Sequence, residues 1–332
     1  MYSGPGDAVT TVACHHSPFH WTSTASPALN VGAASPRTGF SSFSPDSSRL
    51  ITSTFDSPPG TMVLLNAMTG AVVAPKGGTL PTGTYPSWSP DGRSIAFVSE
   101  ANNWGGELTA GNLSVLPVTG ADTFGAVKQI VKADAQNPAT GYPTWSPDSR
   151  WLAMFRGALS RSDSGAGALW LSAADGTQLT RLDKANGAAN NNFLPNFSPF
   201  DSGGYFWVMF LSKRDYGNSR AGTAGTSRQQ LWVTAISNKP TAGQDPSEIP
   251  YWLPGQATTS QNISGYWAPK ACRKDTEQCS VGSECCGGLC VAGKCQPPPV
   301  DQCRAEGMTC GGGGCCPGLT CDRNNICTAI LG

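Results

Sequence analysis

The sequence predicts an all-β chain in two parts: a β-propeller of four to six blades, complete or partial, and then two small disulfide-rich modules. Three observations predict it. A motif recurs at Phe43-Ser-Pro-Asp46, Trp88-Ser-Pro-Asp91, Trp145-Ser-Pro-Asp148 and, degraded, Phe197-Ser-Pro-Phe-Asp201, so the leading aromatic advances by 45, 57 and 52 residues. Recurrence near this period marks propeller blades. The 332 residues include 40 Gly and 26 Pro with no sustained helical periodicity, which is a loop-rich β composition. Twelve of the 13 cysteines fall after residue 271, where the composition changes abruptly.

Each copy of the motif has a local logic. The aromatic ends one strand, Ser-Pro sets an extended approach, and Asp-Gly or Asp-Ser supplies a turn. A short strand rich in β-formers follows, such as Ser94-Ile-Ala-Phe-Val98. Later strands of each blade are expected at Met62–Leu65, Leu113–Val118, Leu169–Ser172 and Gln230–Ile236, with tight turns at Thr69-Gly70, Thr119-Gly120 and Asp175-Gly176. Phe206–Leu211 is a continuous apolar run, expected as a strand buried on both faces. Tyr251–Leu253 and Asn262–Ala268 are expected to begin or complete a further blade. Ring closure would need the N-terminal segment to pair with the last blade.

The recurring aromatic, Ser-Pro-Asp-Gly and β-rich strand resemble the TolB-type (WD40-like) propeller repeat of secreted bacterial proteins, over roughly residues 38 to 269. The resemblance implies the fold. It leaves function open, because propellers are general scaffolds.

Lysine plus arginine and aspartate plus glutamate number 22 each, and the formal net charge is zero. That balance gives no basis for nucleic-acid or anionic-membrane binding. No apolar run is long enough for a transmembrane span. No basic and apolar leader opens the chain, yet the cysteines argue for export. The sequence is therefore expected to begin after processing or inside a longer protein, located in the periplasm, at the cell surface or outside the cell.

Residues 1–37 read as an irregular segment that holds all three histidines, His15, His16 and His20, beside Cys14. Thiolate and imidazole are ligands for zinc or copper, so these four are a candidate metal site. Cys14-His15 also keeps the second half of a Cys-x-x-Cys-His haem-attachment motif, without its first cysteine. Some large secreted bacterial propeller proteins, which this chain resembles, carry that full motif just before the first repeat. Against both stands a plain surface loop, with no cofactor. Trp104, in a polar Gly-rich insertion, is a candidate ligand-stacking ring, or else a cover for the blade edge. Arg214, Asp215 and Tyr216, at the end of a strand, are candidates for lining the propeller mouth, or else a local ion pair and cap. The turn aspartates Asp46, Asp91 and Asp148 are not expected to form a carboxylate cluster, on the argument that blades hold such turns far apart.

The cysteine tail holds two six-cysteine units, expected as modules 270–298 and 299–332, each with a central Cys-Cys pair. Units of about 25 residues cannot build an adequate apolar core, so crosslinks must stabilise them. Six cysteines allow 15 pairings. The pattern resembles the inhibitor cystine knot (knottin). That resemblance implies Cys272–Cys286, Cys279–Cys290 and Cys285–Cys295 in the first unit, and Cys303–Cys316, Cys310–Cys321 and Cys315–Cys327 in the second.

The sequence has no Gly-x-Ser-x-Gly elbow, no His-Glu-x-x-His and no phosphate-binding glycine loop. No histidine follows His20, so a Ser-His-Asp site inside the blades is excluded unless it draws on residues 15–20. The expected function is a non-enzymatic secreted or cell-surface scaffold binding protein or glycan, with the cystine modules for adhesion or anchoring. The alternatives are a structural subunit of an extracellular assembly, and a metal- or haem-binding protein through Cys14, His15, His16 and His20.

Overall fold

The structure, a computed structural model, describes residues 20–23, 26–30, 38–54, 60–102, 107–160, 167–188, 191–214, 228–257, 261–267, 275–279, 289–296, 315, 319–321 and 327–329. The chain divides into two compact units, with the division between Trp267 and Ala268.

The first unit opens with a two-stranded antiparallel hairpin, β1 (His20–Ser23) and β2 (Ser26–Asn30). Four antiparallel sheets follow, each a meander in chain order. Blade 1 comprises β3 (Thr38–Phe43), β4 (Arg49–Thr54), β5 (Met62–Asn66) and β6 (Val72–Val73). Blade 2 comprises β7 (Thr84–Trp88), β8 (Ser94–Ser99), β9 (Asn112–Gly120) and an outer edge in two pieces, β10 (Thr123–Phe124) and β11 (Lys128–Val131), both paired with β9. Blade 3 comprises β12 (Ala139–Trp145), β13 (Trp151–Gly157), β14 (Gly167–Ala173) and β15 (Leu179–Arg181). A one-turn helix, α1 (Asp183–Asn186), leads into blade 4: β16 (Asn192–Ser202), β17 (Tyr205–Ser212), β18 (Gln230–Ser237) and β19 (Tyr251–Trp252). The protein is a β-propeller with four blades among the described residues, three of four strands and one of five.

The repeated motif does the same work three times. Ser44, Ser89 and Ser146 donate through Oγ to Asp46, Asp91 and Asp148 at 2.5, 2.6 and 2.5 Å. The same hydroxyls accept the amides of Arg49, Ser94 and Trp151, which start the second strand. The aspartate thus closes the turn that the proline begins. In the fourth copy Phe200 replaces the aspartate, and β16 runs on to Ser202. The turn moves to Gly203-Gly204, both at positive φ.

A second regularity lies three residues before each aromatic. In every blade the first strand carries one extra residue against its partner, between Thr38 and Ser41, Thr84 and Ser87, Gly141 and Thr144, and Phe193 and Asn196. In three blades a proline at this point lacks the ladder donor, and the chain answers with a bulge. Tyr85, Tyr142 and Leu194 sit there at φ of 51°, 54° and 53°. Left-handed backbone costs roughly 1–2 kcal/mol at such residues. In return the bulge re-aims each side chain inward, into a shared cluster.

Three further apolar clusters join neighbouring blades. Ile51, Met62 and Leu64 meet Ile95 and Phe97; Val115 and Leu113 meet Trp145 and Met154; Leu169 and Leu171 meet Phe206, Val208 and Phe210.

Two sequence expectations need correction. Thr119-Gly120 is not a turn: β9 runs through Gly120, and the chain reverses at Ala121-Asp122, with Asp122 at φ 59°. Asp tolerates that conformation better than most residues. Tyr251–Trp252 does not open a new blade either. It is the outer strand of blade 4, paired with Trp232 and Val233. Residues 261–267 form no strand.

In the second unit, β20 (Leu289–Val291) pairs with β21 (Lys294–Gln296), and β22 (Leu319–Cys321) with β23 (Cys327–Ala329). Disulfides join Cys279 to Cys290 and Cys315 to Cys327. Both are among the six pairs implied by the cystine-knot resemblance, and the other four involve residues outside the described set. Disulfides persist in oxidising compartments, which fits a secreted or periplasmic protein. Among the described residues no helix is long and apolar enough to cross a membrane.

Candidate functional site

The propeller axis is filled. The first strands of successive blades pack against one another, β3 on β7, β7 on β12 and β12 on β16. From them Phe40, Tyr85, Tyr142 and Leu194 converge in one cluster with Phe155, Phe193 and Leu211. The ring centroids of Phe40 and Tyr85 are 4.0 Å apart, and those of Tyr85 and Tyr142 4.5 Å. Tyr85 Oη lies 3.3 Å from Ser160 Oγ, whose hydroxyl also accepts the Leu108 amide. Four equivalent positions, one per blade, form this hub. The sequence carried its signal, since an apolar residue stands three places before every repeated aromatic.

Space for a ligand is found off the axis. A cavity of about 330 Å³ opens between the turns of blades 1 and 2. Its apolar surface comes from Trp88, Phe124, Val118 and Pro45, and its polar surface from Asp46, Asp91, Asp122 and Arg49. Trp88 is only partly buried, and its Nε1 donates to Gly92 O at 3.3 Å. Arg49, at the start of β4, donates from Nε and one terminal nitrogen to the two oxygens of Asp122, at 2.7 and 3.0 Å. This fork spans the two blades and holds the Asp122 carboxyl below its ordinary pKa, with burial opposing. Burial pushes the Asp46 carboxyl up, but hydrogen bonds from Ser44 and Ser48 outweigh it and leave the group below its usual range. Three carboxylates against one guanidinium leave the lining two charges negative.

The turns are closer than the sequence argument assumed. The Asp91 amide donates to Ser149 Oγ of the next blade at 3.0 Å, and the Asp46 and Asp91 turns face one cavity. Adjacent blades therefore bring such turns into contact. The carboxylates are nonetheless held by their own turns, and among the described residues no three His, Cys, Asp or Glu are placed to hold a metal.

Of the residues singled out from sequence, Arg214 and His20 are among those described. Arg214, a candidate for lining the mouth or for a local structural role, is turned into the protein. Its guanidinium donates to Ala185 O, Asn186 O and Asn192 Oδ1 at 2.8, 3.0 and 2.8 Å, and its Nε to Ser212 Oγ at 3.1 Å. It lies over the rings of Phe210 and Trp232. The carbonyls that end α1 need donors, and Arg214 supplies them. Burial pushes its pKa down to about 10, so it remains charged at neutral pH. His20 begins β1. Cys14, His15, His16, Trp104, Asp215 and Tyr216 lie outside the described residues.

No family model and no curated protein matches the chain. Among solved structures it is similar to a putative TolB from Agrobacterium tumefaciens, at 20% identity and a TM-score of 0.39, covering 60% of this chain and 58% of that one. It is also similar to TolB from Acinetobacter baumannii, at 14% identity and a TM-score of 0.40, covering 70% and 61%. An oligogalacturonate lyase in complex with manganese superposes at 15% identity and a TM-score of 0.38, covering 59% and 49%. The chain thus spans about three-fifths of the two TolB chains. Likeness at this level carries no argument about activity.

Proposed function

We propose that the chain is a non-enzymatic binding scaffold acting outside the cytoplasm, and that it engages its ligand in the groove between blades 1 and 2. The observation that carries this reading is the hub. Phe40, Tyr85, Tyr142 and Leu194 fill the axis with side chains, so the concave axial space in which a propeller can surround a small substrate is taken up by core. The off-axis groove combines the partly exposed Trp88 ring with carboxylates at its rim, a surface suited to a sugar face or to an apolar side chain carrying a basic group. The cystine-rich unit serves as a protease-resistant anchoring or adhesion element, and no cofactor is required.

The test is binding of the intact, oxidised chain to glycan and peptide arrays, beside Trp88→Ala. Binding that falls at least about tenfold in Trp88→Ala, with an unchanged circular dichroism spectrum, supports the reading. Turnover of an arrayed substrate, or binding indifferent to Trp88→Ala, overturns it.

A further inference from the structure

Each intact copy of the repeated turn carries an arginine shortly after its aspartate: Arg49 after Asp46, Arg93 after Asp91 and Arg150 after Asp148. The three copies use it differently. In blade 3, Arg150 Nε donates to Asp148 Oδ2 at 2.7 Å, so the turn neutralises its own carboxylate. In blade 1, Arg49 turns to Asp122 instead, and Lys76 adds its charge there. Asp46 attracts Arg49 without bonding to it, and its donors are neutral: the Ser44 and Ser48 hydroxyls and the Ser48 amide. In blade 2, Asp91 accepts the Ser89 hydroxyl and the Arg93 amide, both on Oδ1. Among the described residues no protein donor bonds Asp91 Oδ2, and no ion pair includes Arg93.

The two turns that lack a bonded cation are the two that face the groove. Asp46 and Asp91 are exposed, and both line the cavity of about 330 Å³ together with the partly buried Trp88 ring. Neither Arg93 nor the paired Asp148 is part of that lining. The fold therefore supplies its own cation to the repeated carboxylate outside the groove and withholds it inside.

A guanidinium suits such a lining. It is planar and weakly hydrated, so its face stacks on an indole while the N–H donors at its edge reach carboxylates. Its five donors can serve carboxylates from two turns at once. A neutral sugar could stack on Trp88 and donate hydroxyls, but it would leave both charges unbalanced. The cavity is at the small end of ligand pockets and has room for a side chain rather than a folded element.

Taking the groove as the ligand site, as proposed above, we propose that it receives an arginine side chain presented by a partner peptide. That side chain would give Asp46 and Asp91 the partner that Asp148 finds within its own turn, with Trp88 as the surface on which it stacks.

The test is titration of the intact, oxidised chain with a blocked, fluorescent Gly-Gly-Arg-Gly-Gly peptide, beside the same peptide carrying citrulline, which keeps the shape and loses the charge. The arginine peptide is expected to bind at least about tenfold more tightly, and to weaken as salt is raised. Asp91→Asn keeps the Oδ1 acceptor that its turn uses and removes the charge, and should weaken the arginine peptide at least about tenfold. Asp148→Asn should leave binding unchanged. Equal affinity for the two peptides, equal losses in Asp91→Asn and Asp148→Asn, or no binding of the arginine peptide at millimolar concentration overturns the proposal. Trp88-dependent binding of a neutral glycan, unmoved by Asp91→Asn, overturns it too but leaves the groove as the ligand site. Arginine-peptide binding unmoved by both Trp88→Ala and Asp91→Asn overturns the groove itself. If Asp91→Asn does not fold, carbodiimide labelling of carboxylates in the native chain decides. The arginine peptide should shield Asp91 and not Asp148, and labelling of Asp91 that the peptide does not change overturns the proposal.

Discussion

Trp267 Nε1 stands 2.9 Å from the carbonyl of Asn196, as Trp145 Nε1 stands 2.9 Å from that of Ser87. One bond is inside the ring of described blades and the other is past its last strand. Both are indole donors to a backbone acceptor, and each contributes on the order of 1 kcal/mol. Trp267→Phe and Trp145→Phe keep an aromatic ring and remove the donor. Each is expected to lower unfolding free energy by about 0.5–1.5 kcal/mol in urea titrations. Trp267→Phe leaving stability unchanged would mean that its bond does not hold residues 261–267 to blade 4.

The hub makes a larger demand. Tyr142 is buried among rings from two other blades, and its removal leaves a cavity that strained backbone cannot collapse to fill. Tyr142→Ala is expected to cost about 3–5 kcal/mol, as truncations of buried aromatics do. Trp88→Ala, in a partly open groove, should cost clearly less. Denaturant midpoints of the two variants, compared with the wild type, measure the difference.

The Arg49–Asp122 fork sets an acid-side dependence. Its hydrogen bond to Arg49 lowers the Asp122 pKa from the ordinary 3.8. A carboxylate depressed in the folded state adds stability that is present above the unfolded value and is lost as pH falls through the folded one. The pair lies at the rim of the groove, where water screens it, so its contribution is roughly 0.5–1 kcal/mol. Arg49→Met is expected to be less stable than wild type by that amount at pH 7. The gap should narrow progressively below about pH 4. Stability curves against pH that run parallel through this range would contradict the assignment.

Much of this was legible in the residues. The aromatic-Ser-Pro-Asp repeat fixes where first strands end, and the structure ends β3, β7 and β12 at Phe43, Trp88 and Trp145. The fourth copy drifted because its turn residue is Phe200, and the strand simply continued. Other features depend on three-dimensional neighbours. Trp267 follows Phe197 by 267 − 197 = 70 residues, well beyond the 45 to 57 of the other steps, so its likeness to Trp145 is visible only through its bond to Asn196. The groove was missed because Arg49 and Asp122 are 73 positions apart and belong to different blades. Arg214 stood between two readings because a cation at a strand end looks the same in sequence whether it faces water or caps a buried helix terminus.

Arg214 gives the most direct check on that last point. A residue facing a ligand can be replaced with little effect on stability, whereas this one satisfies carbonyls of the fully buried Ala185 and Asn186. Ala185 O and Asn186 O end α1, and Asn192 Oδ1 starts blade 4, so one guanidinium ties the blade 3 exit to blade 4. Arg214→Met fills the same slot over Phe210 and Trp232 but removes the donor those three acceptors share, at an expected cost of about 2–4 kcal/mol. Arg214→Lys retains the charge as a single point that cannot reach all of them, and should recover only part of that loss. Urea midpoints order the three proteins as wild type, Lys and Met. A Met variant as stable as wild type would return Arg214 to the role of a ligand-facing side chain.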